Sequence, residues 1–286
     1  MNEVLIVGGD STIGSRLMAS FVAGENSVLS TTCFHTHVNE KCLFLDLSDD
    51  RKYWPTLPAS IKTAVFCAAI TSQEQCAIDP EFSRRVNVEG TFALAEQMVE
   101  AGAFVIFLSS NAVFNGSTPF AKSTDPVDPQ NEYGRQKAEA EKQLLKLGDK
   151  VAIVRFSKVI TQEMLLLKGW IKELQAGNVI HPFSDMFISP VPISLAVSVI
   201  QKIAERQIPG IFQLSSIQDV TYYDLSTYMA LKLSLNEQLI QPISSRVVGI
   251  NYSAKNTTLD CSRLAELEIL PPNVWTALDE IFRLSN

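Results

Sequence analysis

The sequence predicts an α/β protein: a doubly wound parallel sheet of the Rossmann type with a smaller lobe that is discontinuous in sequence. Three observations carry this. Short β-branched or apolar runs alternate with helical patterns through the first two thirds of the chain, as βαβ units do. The first run leads into a glycine-containing turn, Gly8-Gly9-Asp10-Ser11-Thr12-Ile13-Gly14, ahead of a helix. A late apolar run, Ile211 to Leu214, is entered through Pro209-Gly210 and can return to the sheet after a long excursion.

Strands are expected at Val4 to Val7, Val28 to Thr32, Leu43 to Leu45, Ala64 to Cys67, Phe104 to Ser109 and Val151 to Arg155. Between them, apolar residues recurring at three and four place helices near Ser15 to Val22, Glu81 to Glu100 and Tyr133 to Lys146. After Arg155 the rhythm loosens into helical stretches Met164 to Leu174, Ile193 to Ala204 and Tyr222 to Leu233. The expected division is 1–155 as the nucleotide-binding domain with 186–214 returning to it, and 156–185 with 215–286 as the substrate lobe, joined by the loop Gly116 to Glu132.

Composition narrows the function. A chain of 286 residues, 46% hydrophobic and 19% charged, can bury a sizeable core. A net charge of -7 without a block of like charges gives no footprint for nucleic acid, and no apolar run reaches the length of a membrane helix. The segment Met1-Asn2-Glu3 followed by apolar residues lacks a basic n-region, so a cytoplasmic location is expected. The five cysteines show no C-x-x-C and are expected to be reduced and mostly packed; with three histidines they point to no metal site. A small-molecule substrate is the expected partner.

The turn Gly8 to Gly14 suits a dinucleotide, because a helix N-terminus offers unpaired N–H groups and partial positive charge to a pyrophosphate. Gly8, Ser11, Thr12, Ile13 and Gly14 are the candidates for that contact, with Ser11 standing where the pattern has its middle glycine. The second strand ends Thr31-Thr32-Cys33-Phe34-His35, with Thr32 as the candidate ribose contact and no acid to take a ribose 2′-hydroxyl, and no arginine pairs with a 2′-phosphate. NADP is therefore weakly preferred over NAD. Asp46, followed by Leu47, sits where an acid can accept from an adenine amino group, or where it simply caps a loop.

The strand Phe104 to Leu108 runs into Ser109-Ser110-Asn111, and Tyr133 and Lys137 stand at i and i+4 at the head of a later helix, on one face. Bringing a phenol from a pKa near 10 towards 7 takes roughly 4 kcal/mol, which a close ammonium in a dry cleft could largely supply. Ser110 would polarise a carbonyl and Tyr133 would move its proton. Tyr228 and Lys232 repeat the spacing, but no Ser-Ser strand end precedes them; that pair is expected to be an amphipathic helix with a solvated lysine.

Together these residues resemble the extended short-chain dehydrogenase/reductase family, and within it the dTDP-4-dehydrorhamnose reductase-like, sugar-nucleotide branch. The similarity runs through Gly8 to Gly14, Cys67-Ala68-Ala69, Val86-Asn87-x-x-Gly90, Ser109 to Gly116, Pro126 with Tyr133-Gly134-x-x-Lys137, Asp185-x-x-x-x-Pro190 and Lys255 to Asp260. The resemblance implies an NAD(P)-binding domain and a substrate lobe for a nucleotide sugar or similar metabolite. It implies catalytic roles for Ser110, Tyr133 and Lys137, with Lys137 also on the nicotinamide ribose, and cofactor contacts from Cys67, Ala68, Ala69 and Asn87. The implied activity is an oxidoreductase or epimerase; the alternative is a nucleotide-binding regulatory or scaffold subunit without turnover. Asn111, Lys158 and Ser253-Ala254 depart from the branch's substrate positions. A homodimer would use the helices Glu81 to Glu100 and Tyr133 to Lys146.

Overall fold

The computed structural model describes residues 3–250 and 253–283. The chain opens β1 (Glu3–Val7), α1 (Thr12–Ala23), β2 (Ser27–Thr32), β3 (Cys42–Phe44), β4 (Ile61–Phe66), α2 (Gln73–Ile78), α3 (Pro80–Arg84), α4 (Thr91–Glu100), β5 (Phe104–Ser110), α5 (Glu132–Leu144) and β6 (Val151–Phe156). It continues with β7 (Lys158–Ile160), α6 (Leu165–Gln175), β8 (Phe187–Ile188), β9 (Pro190–Pro192), α7 (Ile193–Arg206), β10 (Gly210–Leu214), β11 (Val220–Thr221), α8 (Tyr222–Lys232) and α9 (Val274–Ile281).

Seven strands form one sheet in the order β10-β6-β5-β4-β1-β2-β3. The ladders of β1 with β2 and β4, of β2 with β3 and of β4 with β5 are parallel. Helices cover such a sheet on both faces, which is why β6 is buried at every position and β5 at all but its last. Leu5, Ala64, Phe66, Val105 and Ile153 pack with Leu94 and Met98 of α4 and Ala140 and Leu144 of α5. Strand order reverses between β1 and β4, so the carboxyl ends of these strands flank the crevice where doubly wound sheets take ligands.

Two compact units divide the chain. The first is Met1–Phe114, Pro126–Arg155 and Val197–Phe212; the second is Asn115–Asp125, Phe156–Ala196 and Gln213–Asn286. The chain returns to the first unit at Val197 rather than at the expected 186, because β8 and β9 pair inside the second: β8 antiparallel with β11, β9 parallel with β7. That unit has its own core, with Ile160, Leu167, Ile188, Leu225, Met229 and Leu278 in contact.

The expected helix over Glu81 to Glu100 is really three pieces, α3, a π-helical turn over Arg85–Gly90, and α4. The extra residue of a π turn lets Asn87 face inward while Gly90 abuts the β3–β4 loop, where a Cβ would fall 1.9 Å from Leu47 O. No helix among the described residues is long and apolar enough to cross a membrane.

Candidate active site

The glycine turn joins β1 to α1. Gly8 has φ +82°, and a Cβ there would lie 2.7 Å from the Ala68 nitrogen, so both backbone sign and space require glycine. A Cβ at Gly14 would lie 2.2 Å from Gly8 O. Ser11, at the position of the pattern's middle glycine, caps α1: its hydroxyl donates to Gly8 O at 2.8 Å and accepts from Gly14 N at 3.0 Å. Ser15 N takes Ser11 O, which leaves the first-turn N–H groups of Thr12 and Ile13 for an anion. The first turn of α1 holds no acid, and Asp10 in the loop turns its carboxylate to the Thr32 hydroxyl, so the helix N-terminus fits a pyrophosphate.

At the end of β2, Thr32 is buried, and its hydroxyl donates to Asp10 Oδ2 at 2.7 Å. His37 Nδ1 lies 3.3 Å from the same oxygen. Asp10 thus comes from the glycine turn to the strand end, a placement that the search for an acid along β2 missed; the signal available was an acid inside the turn itself. Asp46 Oδ1 accepts from Ser48 N and Oγ, so that oxygen caps its loop. Leu47 is buried beside Gly90.

The end of β4 joins the end of β1, with Cys67 N and Ala68 N both donating to Val7 O at 2.8 Å. Burial pushes the Cys67 thiol up to about 12, against the charge of Lys137. Ala69 follows, partly buried. Asn87 is sealed from solvent: it accepts from Ile70 N at 2.8 Å and donates to Ile70 O at 3.0 Å and to Gln136 Oε1 at 2.8 Å. Its side chain therefore ties the loop after β4 to α5. All five cysteines are free, with Cys33 on the surface. Among the described residues no group of His, Cys, Asp and Glu is arranged for a metal.

Ser110, Tyr133 and Lys137 come together in the first unit. Ser110 ends β5 and accepts from Ala112 N at 3.1 Å. Asn131 caps α5 by accepting from Gly134 N at 2.8 Å, and a Cβ on Gly134 would meet Ala112 O at 2.2 Å. That close approach sets Tyr133 against the Ser110 turn, and a hydrogen bond with Ser110 acts on the phenol. Lys137 is buried, donating from Nζ to Leu108 O at 2.8 Å, 4.4 Å from the centre of the Phe107 ring and 5.8 Å from that of Tyr133.

The expected direction for the phenol is reversed. Burial raises Tyr133 to about 12, outweighing the Ser110 bond that lowers it. The ammonium that was expected to pull the phenol down is itself depressed to about 8 by burial, partly offset by Glu141. Sequence reasoning missed what lies beneath: Glu141, one turn after Lys137, pairs with Arg155 at 2.6 Å and accepts from Ser109 Oγ at 2.5 Å, with both charged side chains 3% exposed. Arg155 also stacks on Phe114 at 5.0 Å. An acid four residues after the lysine, and an arginine inside the sixth strand, were the visible signals.

The second tyrosine–lysine pair belongs to the second unit. Tyr228 donates to Asp279 at 2.8 Å and Lys232 pairs with the same carboxylate, on α8 and α9. In the second unit Asp185 accepts from Ser245 N at 2.7 Å and Asp219 from Thr257 N at 2.9 Å. The motif residues Asp185 and Thr257 thus brace loops there; Lys158 is exposed in β7.

Comparison with known proteins agrees with this architecture. The family model described as RmlD substrate binding domain matches residues 1–283. Methionine adenosyltransferase 2 subunit beta of Xenopus tropicalis is 27% identical over 93% of this chain and 83% of its own length. The dTDP-4-dehydrorhamnose reductase of Aggregatibacter actinomycetemcomitans is 25% identical over 96% of both chains. The crystal structure of dTDP-4-dehydrorhamnose reductase from Bacillus anthracis in complex with NADP superposes with a TM-score of 0.84 at 19% identity, covering 98% of each chain.

Proposed function

This chain belongs to the RmlD substrate binding domain family, in the sugar-nucleotide branch of the extended short-chain dehydrogenases/reductases, and from that premise we propose that it is an NAD(P)-dependent reductase or epimerase. Its substrate would be a carbonyl or carbinol of a nucleotide-linked sugar or a similar small metabolite. The observation that carries this reading is the assembly of Ser110, Tyr133 and Lys137 at the ends of β5 and α5, in the same unit as the glycine turn.

The residues that would hold the cofactor follow the sheet edge. Gly8, Ser11, Thr12, Ile13 and Gly14 would hold the pyrophosphate, Thr32 the adenosine ribose, and Asp46 and Leu47 the adenine. Cys67, Ala68 and Ala69, braced by Asn87, would line the middle, and Tyr133 and Lys137 would meet the nicotinamide ribose. Bound there, a nicotinamide supplies or accepts the hydride. The chain's own groups handle the proton. With its pKa at about 12, Tyr133 is a neutral phenol at physiological pH and so is poised to donate to an oxygen that gains charge. The Ser110 hydroxyl binds the same oxygen and limits its rotation. Lys137 spends one N–H on Leu108 O and keeps the others for the ribose hydroxyls. The direction favoured by a protonated Tyr133 is reduction.

A second reading is favoured by the relatives named as methionine adenosyltransferase subunits and by Asn111 and Lys158 at altered substrate positions: a nucleotide-binding regulatory subunit without turnover. The test is a panel of keto and hydroxy sugar nucleotides with NADH and NADPH, following both cofactor consumption and epimer interconversion. Sustained change in either supports the enzyme. Cofactor binding with neither, across the panel, leaves the regulatory reading.

A further inference from the structure

An acid reaches the end of β2 without belonging to β2. In doubly wound sheets the adenosine ribose lies between the glycine turn and the end of the second strand, and a carboxylate there accepts from its hydroxyls. The physical requirement is an anionic oxygen at that point in space, whichever residue supplies it. Asp10 sits between Gly9 and the Ser11 cap of α1, and its Oδ2 is held at the strand end by the Thr32 hydroxyl at 2.7 Å, with His37 Nδ1 at 3.3 Å. Thr32 is itself fixed, since its Oγ1 accepts from Phe34 N at 3.0 Å. Among the described residues Asp10 Oδ1 has no protein partner, and the side chain is 26% exposed, so one carboxylate oxygen is left to accept from a ligand.

Resting on the cofactor reading above, we infer that Asp10 is the cofactor-selecting residue of this protein, accepting from the adenosine ribose hydroxyls of NAD(H) and repelling the 2′-phosphate of NADP(H). This replaces the slight tilt towards NADP expected from a strand end read on its own. The surroundings agree. The strand continues Cys33-Phe34-His35 and places no arginine or lysine there to pair a phosphate dianion. Burial, then the carboxylates of Asp10 and Asp46, push the Cys33 thiol up. Ser11 adds no counter-charge, its hydroxyl being committed to Gly8 O and Gly14 N.

The test is titration calorimetry of the full-length protein with NAD⁺, NADP⁺, ADP-ribose and 2′-phospho-ADP-ribose, on the wild type, Asp10→Asn and Thr32→Val. The expected result is that wild type binds NAD⁺ at least about tenfold more tightly than NADP⁺, the size of one charge-assisted hydrogen bond. The two fragments should show the same ratio, because the discrimination sits at the adenosine end. Asp10→Asn, close in shape, should bring the ratio to within about threefold by weakening NAD⁺ and strengthening NADP⁺. Thr32→Val, which frees Asp10 from its anchor, should move the ratio part of the way. Both cofactors binding equally, NADP⁺ binding better, or Asp10→Asn leaving the ratio unchanged would each overturn the inference while leaving the cofactor reading intact. Wild type binding none of the four ligands would overturn the cofactor reading and this inference together.

Discussion

Lys137→Met removes a buried charge and keeps a chain of similar length. The Lys137 amine falls from 10.5 to about 8, chiefly through burial and against the pull of Glu141. Because the folded pKa lies below the unfolded one, both states hold the proton at neutral pH and the native state bears the whole cost of a poorly solvated cation. Between about pH 8 and 10.5 the native state sheds the proton while the unfolded chain keeps it, so wild-type stability climbs with pH in that window. The displacement corresponds to roughly 3 kcal/mol at neutral pH, most of which is recovered by about pH 10. Methionine has no such dependence. The difference in unfolding free energy should therefore move by about 2–3 kcal/mol in favour of wild type between about pH 7 and about pH 10, measured by urea unfolding followed by circular dichroism. The substitution also strips Leu108 O of its donor, at about 1–3 kcal/mol, but that cost is the same at both pH values. Tyr133, raised to about 12, is present in both proteins and largely cancels. The change with pH is thus diagnostic where the difference at one pH is not. Parallel pH curves would refute the reasoning, for they would mean that the amine is as well solvated in the native state as in the unfolded one.

Tyr133→Phe should lower turnover by roughly 10² to 10⁴ in steady-state assays with an identified substrate, whereas Tyr228→Phe should change it little, since that hydroxyl meets Asp279 and Lys232 within the second unit. Glu141→Gln removes the counter-charge of a buried guanidinium and should cost about 3–5 kcal/mol, seen as a fall in thermal midpoint of about 10 °C. Gly134→Ala forces a Cβ towards Ala112 O, so α5 must withdraw from the Ser110 turn; about 1–3 kcal/mol of stability should be lost in urea unfolding, together with turnover.

The strands of the large sheet were legible because burial on both faces writes them as unbroken apolar runs, so Val4 to Val7, Phe104 to Ser109 and Val151 to Arg155 stand out from the helical spacing around them. In the second unit β7, β8, β9 and β11 have two or three residues each, fewer than one full alternation needs, and no periodicity can mark them. Ser110, Tyr133 and Lys137 were found through a fixed spacing at a strand end and a helix start. What spacing cannot carry is the medium around a group: it put an ammonium beside a phenol and predicted acidification, while the folded chain gives both a dry setting in which burial is the larger influence on each.

Asp10 and Glu141 escaped for a related reason. Each acts on a residue brought near by a different element: Asp10 crosses from the β1–α1 turn to Thr32, and Glu141 spans from α5 to Ser109 on β5 and Arg155 on β6. A motif records what one segment does to a ligand, whereas an ion pair or an anchored carboxylate is a relation between segments that exists only once the strand order is known. Given the order β6-β5-β4-β1-β2, the end of β2 lies beside the turn that follows β1, and β5 beside β6. The question for a Rossmann sequence is then whether any acid on the two neighbouring loops can reach the second strand's end, rather than whether the second strand itself ends in an acid. For this chain the first question leads to Asp10 and the second leads to no residue.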